Sequence, residues 1–190
     1  MELIEARSPM KPHLSSTLQG KLIFLWGVGG VLFLLTNAVR RLAPIAWQPI
    51  QDGTLSWALL GAYAAWVIFM GYSEGYRGFQ KAFCPRVVAR GVYVSHTRSP
   101  LHILLAPALC MGLFHATRKR KIVSWSLLIG IVGLVLLVRQ LPQPYRGIID
   151  GGVVVGLGWG VLWLLIFASM AVLGKHSTHD PEVPNTREDL

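Results

Sequence analysis

The chain has 190 residues, of which 53% are hydrophobic and only 14% charged, against about 25% charged in an ordinary globular chain. That surplus of apolar residues exceeds what a soluble core of this size needs, and gathered into runs it excludes an ordinary soluble domain. The net charge of +9 comes with no nucleic-acid recognition motif, and Cys84 and Cys110 make neither a disulfide framework nor a CxxC pattern, so no nucleic acid, metal or cofactor is expected.

Residues 1–20 read as a polar cytoplasmic tail with Pro and Ser. The run 22–39 that follows carries no charge. It comes near the roughly 20 residues that a helix needs to cross about 30 Å of hydrocarbon, and a backbone in lipid must satisfy its own hydrogen bonds, so the run predicts a spanning helix. It ends in Arg40-Arg41 rather than at a small-residue cleavage site, which predicts an uncleaved anchor. Residues 40–53, with Pro44, Pro49 and Gly53, predict an outer loop, with Trp47 and Trp57 as interfacial anchors. A second charge-free run, 54–73, predicts the second span. Its Ala58 with Ala62, and Gly61 with Ala65, stand at the four-residue spacing that lets helices approach closely.

The second run gives way to "GYSEGYRGFQKAF" at 71–83. Read as a continuing α-helix, this stretch puts Glu74 with Arg77, and Arg77 with Lys81, on one face. Its aromatics suit the headgroup layer. Cys84-Pro85-Arg86 predicts a break. Residues 86–98 interleave valines and Tyr93 with Arg86, Arg90 and Arg98, which predicts an amphipathic segment lying on the membrane.

The fifth apolar run, 101–117, is short, carries Pro107 near its middle and has His102 and His115 near its ends. Charge decides its reading. If 101–117 crosses, the chain has five helices, the Lys and Arg residues divide almost evenly, and the Arg118-Lys119-Arg120-Lys121 cluster faces outward. If it does not, the basic segment 74–121 is cytoplasmic throughout and only Arg40, Arg41, Arg139 and Arg146 lie outside. The positive-inside bias favours the second arrangement: an all-α integral membrane protein with four transmembrane helices and a re-entrant or interfacial segment at about 100–117, five helices being the alternative.

Runs 122–138 and 151–173 supply the third and fourth spans, joined by a short outer loop, 139–147, stiffened by two prolines. Gly152, Gly156 and Gly160 line one face of the last span and predict a close helix contact, within the chain or with a second copy. Residues 174–190 read as a disordered cytoplasmic tail. The single domain therefore covers 21–173, and for so compact a chain a bacterial inner membrane is the expected location.

Two functions are compatible with this frame. In the first, a basic cytoplasmic face formed by Arg77, Lys81, Arg86, Arg90, Arg98, Arg118, Lys119, Arg120 and Lys121 holds anionic lipid or an acidic protein partner, and the protein serves as an accessory, assembly or scaffold subunit. In the second, a small membrane enzyme acts on lipid or prenyl substrates, with Glu74, Arg77 and His102 as the first residues to test. No ionisable group lies inside the four runs, where Thr36 and Asn37 are the polar exceptions, and this disfavours transport. Residues 91–112, "GVYVSHTRSPLHILLAPALCMG", resemble a Gly…Arg-His-Pro stretch of the membrane methyltransferases related to isoprenylcysteine carboxyl methyltransferase. Arg98-Ser99-Pro100 stands where that family has Arg-His-Pro, and the paired glutamates expected downstream are absent, so the family is not assigned.

Overall fold

The computed structural model describes residues 14–97, 99–114 and 116–174, without the side chains of Lys119 and Arg120. The predicted tails lie mostly outside these residues, as do Arg98 and His115. All regular structure among the described residues is helical: α1 (Leu18–Gln51), α2 (Trp57–Met70), a π-helical segment (Gly71–Phe83), α3 (Cys84–Val94), α4 (Pro100–Leu104), α5 (Ala106–Cys110), α6 (Arg118–Val138) and α7 (Tyr145–Val172). Three helices are long and apolar enough to cross a membrane: α1, the part of α6 from Lys121 to Val138, and α7.

α1 starts where the Thr17 hydroxyl accepts the Gly20 N–H at 3.1 Å, a side-chain cap on an otherwise orphaned donor. It runs for 34 residues, about 51 Å, straight through the predicted outer loop 40–53. Pro49 cannot donate to the Ile45 carbonyl four residues back, which leaves an acceptor open in the helix. The Gln143 side chain fills the vacancy, its Nε2 donating to the Ile45 carbonyl at 3.3 Å while its Oε1 accepts the Gly147 N–H in the first turn of α7 at 3.0 Å. The same residue thus ties the end of α1 to the start of α7, which begins several residues before the predicted 151.

The run 54–73 does not form one α-helix. α2 is capped by Ser56, whose hydroxyl accepts the Leu59 N–H, and ends at Met70 after 14 residues. The helix axis nonetheless continues without a break, as π-helix to Phe83 and then as α3 to Val94. The predicted break at Pro85 does not occur. Pro85 sits in the first turn of α3, directly after the five-residue hydrogen bond from the Cys84 N–H to the Phe79 carbonyl, a position where a helix tolerates a missing donor.

This long rod, α1 and α7 form the bundle. Tyr63 packs on Gly151, Trp66 and Met70 on Gly152, and Phe79 on Gly160, so rod and α7 run parallel. α1 runs the other way: Pro49 meets Gly147, while Phe24 and Val28 meet Gly91. The core gathers where the first half of α1, α3 and the second half of α7 converge, around Phe24, Val31, Val87, Val88, Cys84, Cys110 and Leu164. The predicted surface segment 86–98 is corrected here: its valines face this core rather than a bilayer surface.

Residues 100–110 form two five-residue helices, each far too short to cross. Ala106 and Cys110 of α5 press on Gly27, and Pro107 on Gly30, so the proline seats α5 against α1. α6 stands largely apart. Its foot is held by the Ser124 hydroxyl and Trp125 indole, which donate to the carbonyls of Met111 and Leu113, but from there to its buried last residue, Val138, its side chains are mostly exposed, Ile129 at 66% and Leu137 at 62%.

Candidate functional site

The stretch 71–83 is the π-helical segment. A π-helix closes its hydrogen bonds over five residues instead of four and normally lasts a single turn, often at a functional site. Here it runs for 13 residues. Gly71, Gly75 and Gly78 weaken the competing α-helix by about 1 kcal/mol each relative to alanine. Gly75 is also required for contact, because a Cβ there would stand 3.0 Å from the Trp159 ring.

The five-residue step sorts the side chains onto two faces. In an α-helix, residues five apart point about 140° away from each other; in the π-helix they stack. Glu74, Phe79 and Cys84 therefore share the face turned to α7. The Cβ and Oε2 atoms of Glu74 lie over Gly156, 3.2 and 3.3 Å from where a Cβ on that glycine would stand. The Phe79 ring covers Gly160, and the Cys84 thiol donates to the Gly160 carbonyl at 3.4 Å. The first five-residue step on the rod, Glu74 to Phe79, is met by the four-residue step from Gly156 to Gly160 on α7, and Cys84 returns to Gly160. Beside this seam the Trp159 indole donates to Gln80 Oε1 at 3.0 Å.

The other face is open. Tyr72 stacks on Tyr76 with ring centroids 5.8 Å apart, and the Lys81 ammonium stands 4.5 Å over the Tyr76 ring, a cation–π contact. Arg77, five residues after Tyr72, is exposed on the same side. The Glu74–Arg77 pair expected from α-helical spacing does not form among the described residues, because the wider π turn carries Glu74 round to α7. Glu74 also stands beside Gly156, within the charge-free run of α7, so an ionisable group does accompany an apolar span.

The other candidate residues divide. Arg90 is corrected as a lipid-facing residue: it is only 3% exposed, and its Nη1 donates to the Leu109 carbonyl at 3.2 Å, in the last turn of α5, where a cation complements the helix dipole. Arg86 is half-buried beside it on α3. Cys110, packed nearby, has its thiol pushed up to about 12 by burial, with the Arg90 charge pulling the other way, and so stays a neutral packing group. Arg118 and Lys121 are exposed. His102 Nδ1 pairs with the Thr97 hydroxyl at 3.4 Å, beyond the far end of α3, whose 11 residues separate it from the π segment by about 16 Å. Glu74, Arg77 and His102 therefore do not converge on one reacting centre. Among the described residues no group of His, Cys, Asp or Glu is placed to hold a metal. Gly152, Gly156 and Gly160 are all buried against the rod, whereas Gly61 on α2 has nothing within 4 Å.

Sequence reasoning missed the π-helix, the burial of Arg90 and the α5 seat at Gly27 and Gly30. A signal for the first was present in the repeated five-residue spacing of aromatic and basic residues, Tyr72 to Arg77 and Tyr76 to Lys81. Comparison of the chain with family models, curated proteins and solved structures finds no match.

Proposed function

We propose that this is a four-crossing membrane protein, spanning through α1, the rod, α6 and α7, and that it acts as an accessory or scaffold protein whose basic end holds anionic lipid or an acidic partner. The observation that carries this reading is the first turn of α6. Arg118, Lys119, Arg120 and Lys121 open that helix with no acid among them. Cations at a helix N-terminus oppose the macrodipole, at about 0.3–1 kcal/mol each, so helix stability does not account for them. Lys21, near the start of α1, lies at the same end of the bundle. The described carboxylates stand elsewhere: Asp52 and Asp150 at the opposite end, the latter 3.6 Å from Arg146, and Glu74 along the rod. Such one-sided charge favours a cytoplasmic basic end, with both termini there, as in a bacterial inner membrane.

The test is lipid-dependent stability in detergent micelles. Phosphatidylglycerol should raise the unfolding midpoint more than phosphatidylcholine does. Replacing all four basic residues at 118–121 by glutamine should remove most of that difference, since each cation near an anionic surface contributes about 1 kcal/mol. An undiminished difference in the variant would refute the reading.

A further inference from the structure

We infer that the open face of the π segment is a second, discrete site, a seat for the phosphate of one anionic membrane lipid. It deepens the lipid-binding reading above but uses different residues. The register is the first support. Hydrogen bonds from residue i to i+5 bring Arg77 to the side of the helix that carries Tyr72 and Lys81 to the side that carries Tyr76, which an α-helix would splay apart. The contact of the Lys81 ammonium with the Tyr76 ring, at 4.5 Å, shows the stacking directly. Two cations and two phenol rings are thereby gathered on one side of about two turns of helix.

Charge is the second support. Arg77 and Lys81 are exposed and form no ion pair among the described residues. The single acid on this segment, Glu74, is exposed but leans over Gly156 and pairs with neither cation among the described residues. An arginine fork and a lysine point charge, side by side, suit the oxygens of a phosphate.

Position is the third. The face lies beside the part of α7 between Gly156 and Gly160, where α7 carries no charge, and it opens away from the bundle. Cations exposed next to an apolar span are costly unless an anion accompanies them. A membrane lipid supplies both the anion and the apolar surroundings, and a soluble phosphate supplies only the first.

Native mass spectrometry of the full-length protein, titrated with phosphatidylglycerol, tests the seat. The protein should retain one lipid more tightly than the rest. Arg77→Gln with Lys81→Gln should weaken that single binding step by about thirtyfold, two cations at about fivefold each, while the charge-preserving Arg77→Lys with Lys81→Arg should stay within about fivefold of the wild type. The glutamine variant with 118–121 neutralised should keep the tight step, so loss of the basic end and loss of this seat are separable. Inorganic phosphate at equal concentration should not compete. Should the double glutamine variant misfold, Lys81→Gln alone should still weaken the step about fivefold. Unchanged affinity in both variants that carry Lys81→Gln, effective competition by inorganic phosphate, or a bound polypeptide in place of lipid would overturn the proposal.

Discussion

α6 and α7 are both uninterrupted apolar helices, both contain several glycines, and both are long enough to cross a bilayer; one is packed and the other is not. On α7, Gly152, Gly156 and Gly160 are buried, and an added Cβ would meet the Trp66 indole, Glu74 and the Phe79 ring in turn. On α6, Gly130 and Gly133 have nothing within 4 Å. The difference shows that apolarity decides only whether a helix can sit in lipid. Packing there depends on small residues forming a groove and on a neighbour that fits it, because lipid tails are as apolar as leucine and give helices no hydrophobic reason to associate. The glycines of α7 repeat every four residues and form a groove. Gly130 and Gly133 are flanked by Ile129, Ile131, Val132 and Leu134 and form none.

The contrast is broken most forcefully by bulk. Gly152→Leu puts atoms into the Trp66 indole, already 2.5 Å from an added Cβ, and should cost about 3 kcal/mol through overpacking. Gly130→Leu on α6 should change stability by less than about 1 kcal/mol, with the sign of a gain, since leucine is the better helix former. Unfolding of each variant in mixed micelles measures both. Equal losses at the two positions would mean that α6 is packed in solution after all.

The same contrast separates what could be read in the sequence from what could not. Absence of charge marked the cores of α1, α6 and α7, because a helix in lipid needs only composition and length to declare itself. The spacing of Gly152, Gly156 and Gly160 was visible for a similar reason: a small-residue groove lies on one helix. The π segment was hidden because an i, i+4 reading assumes the very hydrogen-bond pattern that this segment abandons. Pro44 and Pro49 were read as loop residues, which is their usual meaning. The Ile45 carbonyl that Pro49 leaves open is met by Gln143, almost a hundred residues away in the sequence. The alternation of the α3 valines with arginines looks amphipathic and points to a membrane surface, but Gly91 lets Phe24 and Val28 close over them, and no local pattern reveals that partner.

Cations sharpen the comparison at the next level. Arg90 lies within the packed bundle and holds the Leu109 carbonyl, whereas Arg118 stands exposed at the foot of α6. Arg90→Ala removes a buried charged donor from the Leu109 carbonyl, which keeps the Gly112 N–H, and should cost about 2 kcal/mol, the worth of a hydrogen bond from a charged group. Arg118→Ala should remain within about 0.5 kcal/mol, as an exposed substitution away from packing does. Measured by the same unfolding assay, a loss at Arg118 as large as at Arg90 would show that the basic end is part of the fold rather than a surface for partners.

The smallest effects test the comparison most finely, because alanine adds a single methyl to either helix. At Gly133 nothing opposes that methyl, so Gly133→Ala should stabilise by about 0.8 kcal/mol through helix propensity alone. At Gly156 the same gain meets Glu74, with its Cβ 3.2 Å and Oε2 3.3 Å from the new methyl. The carboxylate end can rotate away, but the Cβ is fixed by the rod, so the seam must widen by a few tenths of an ångström. Overpacking of that kind costs about 1 kcal/mol or more, enough to cancel or reverse the propensity gain. Gly156→Ala should therefore be neutral or destabilising where Gly133→Ala is stabilising. Combining Gly156→Ala with Glu74→Ala, which leaves the Cβ in place, should not restore the gain. Glu74→Gly, which removes it, should recover the steric part. If Glu74→Ala alone restores stability, the carboxylate and not the backbone-borne Cβ sets the spacing between the π segment and α7.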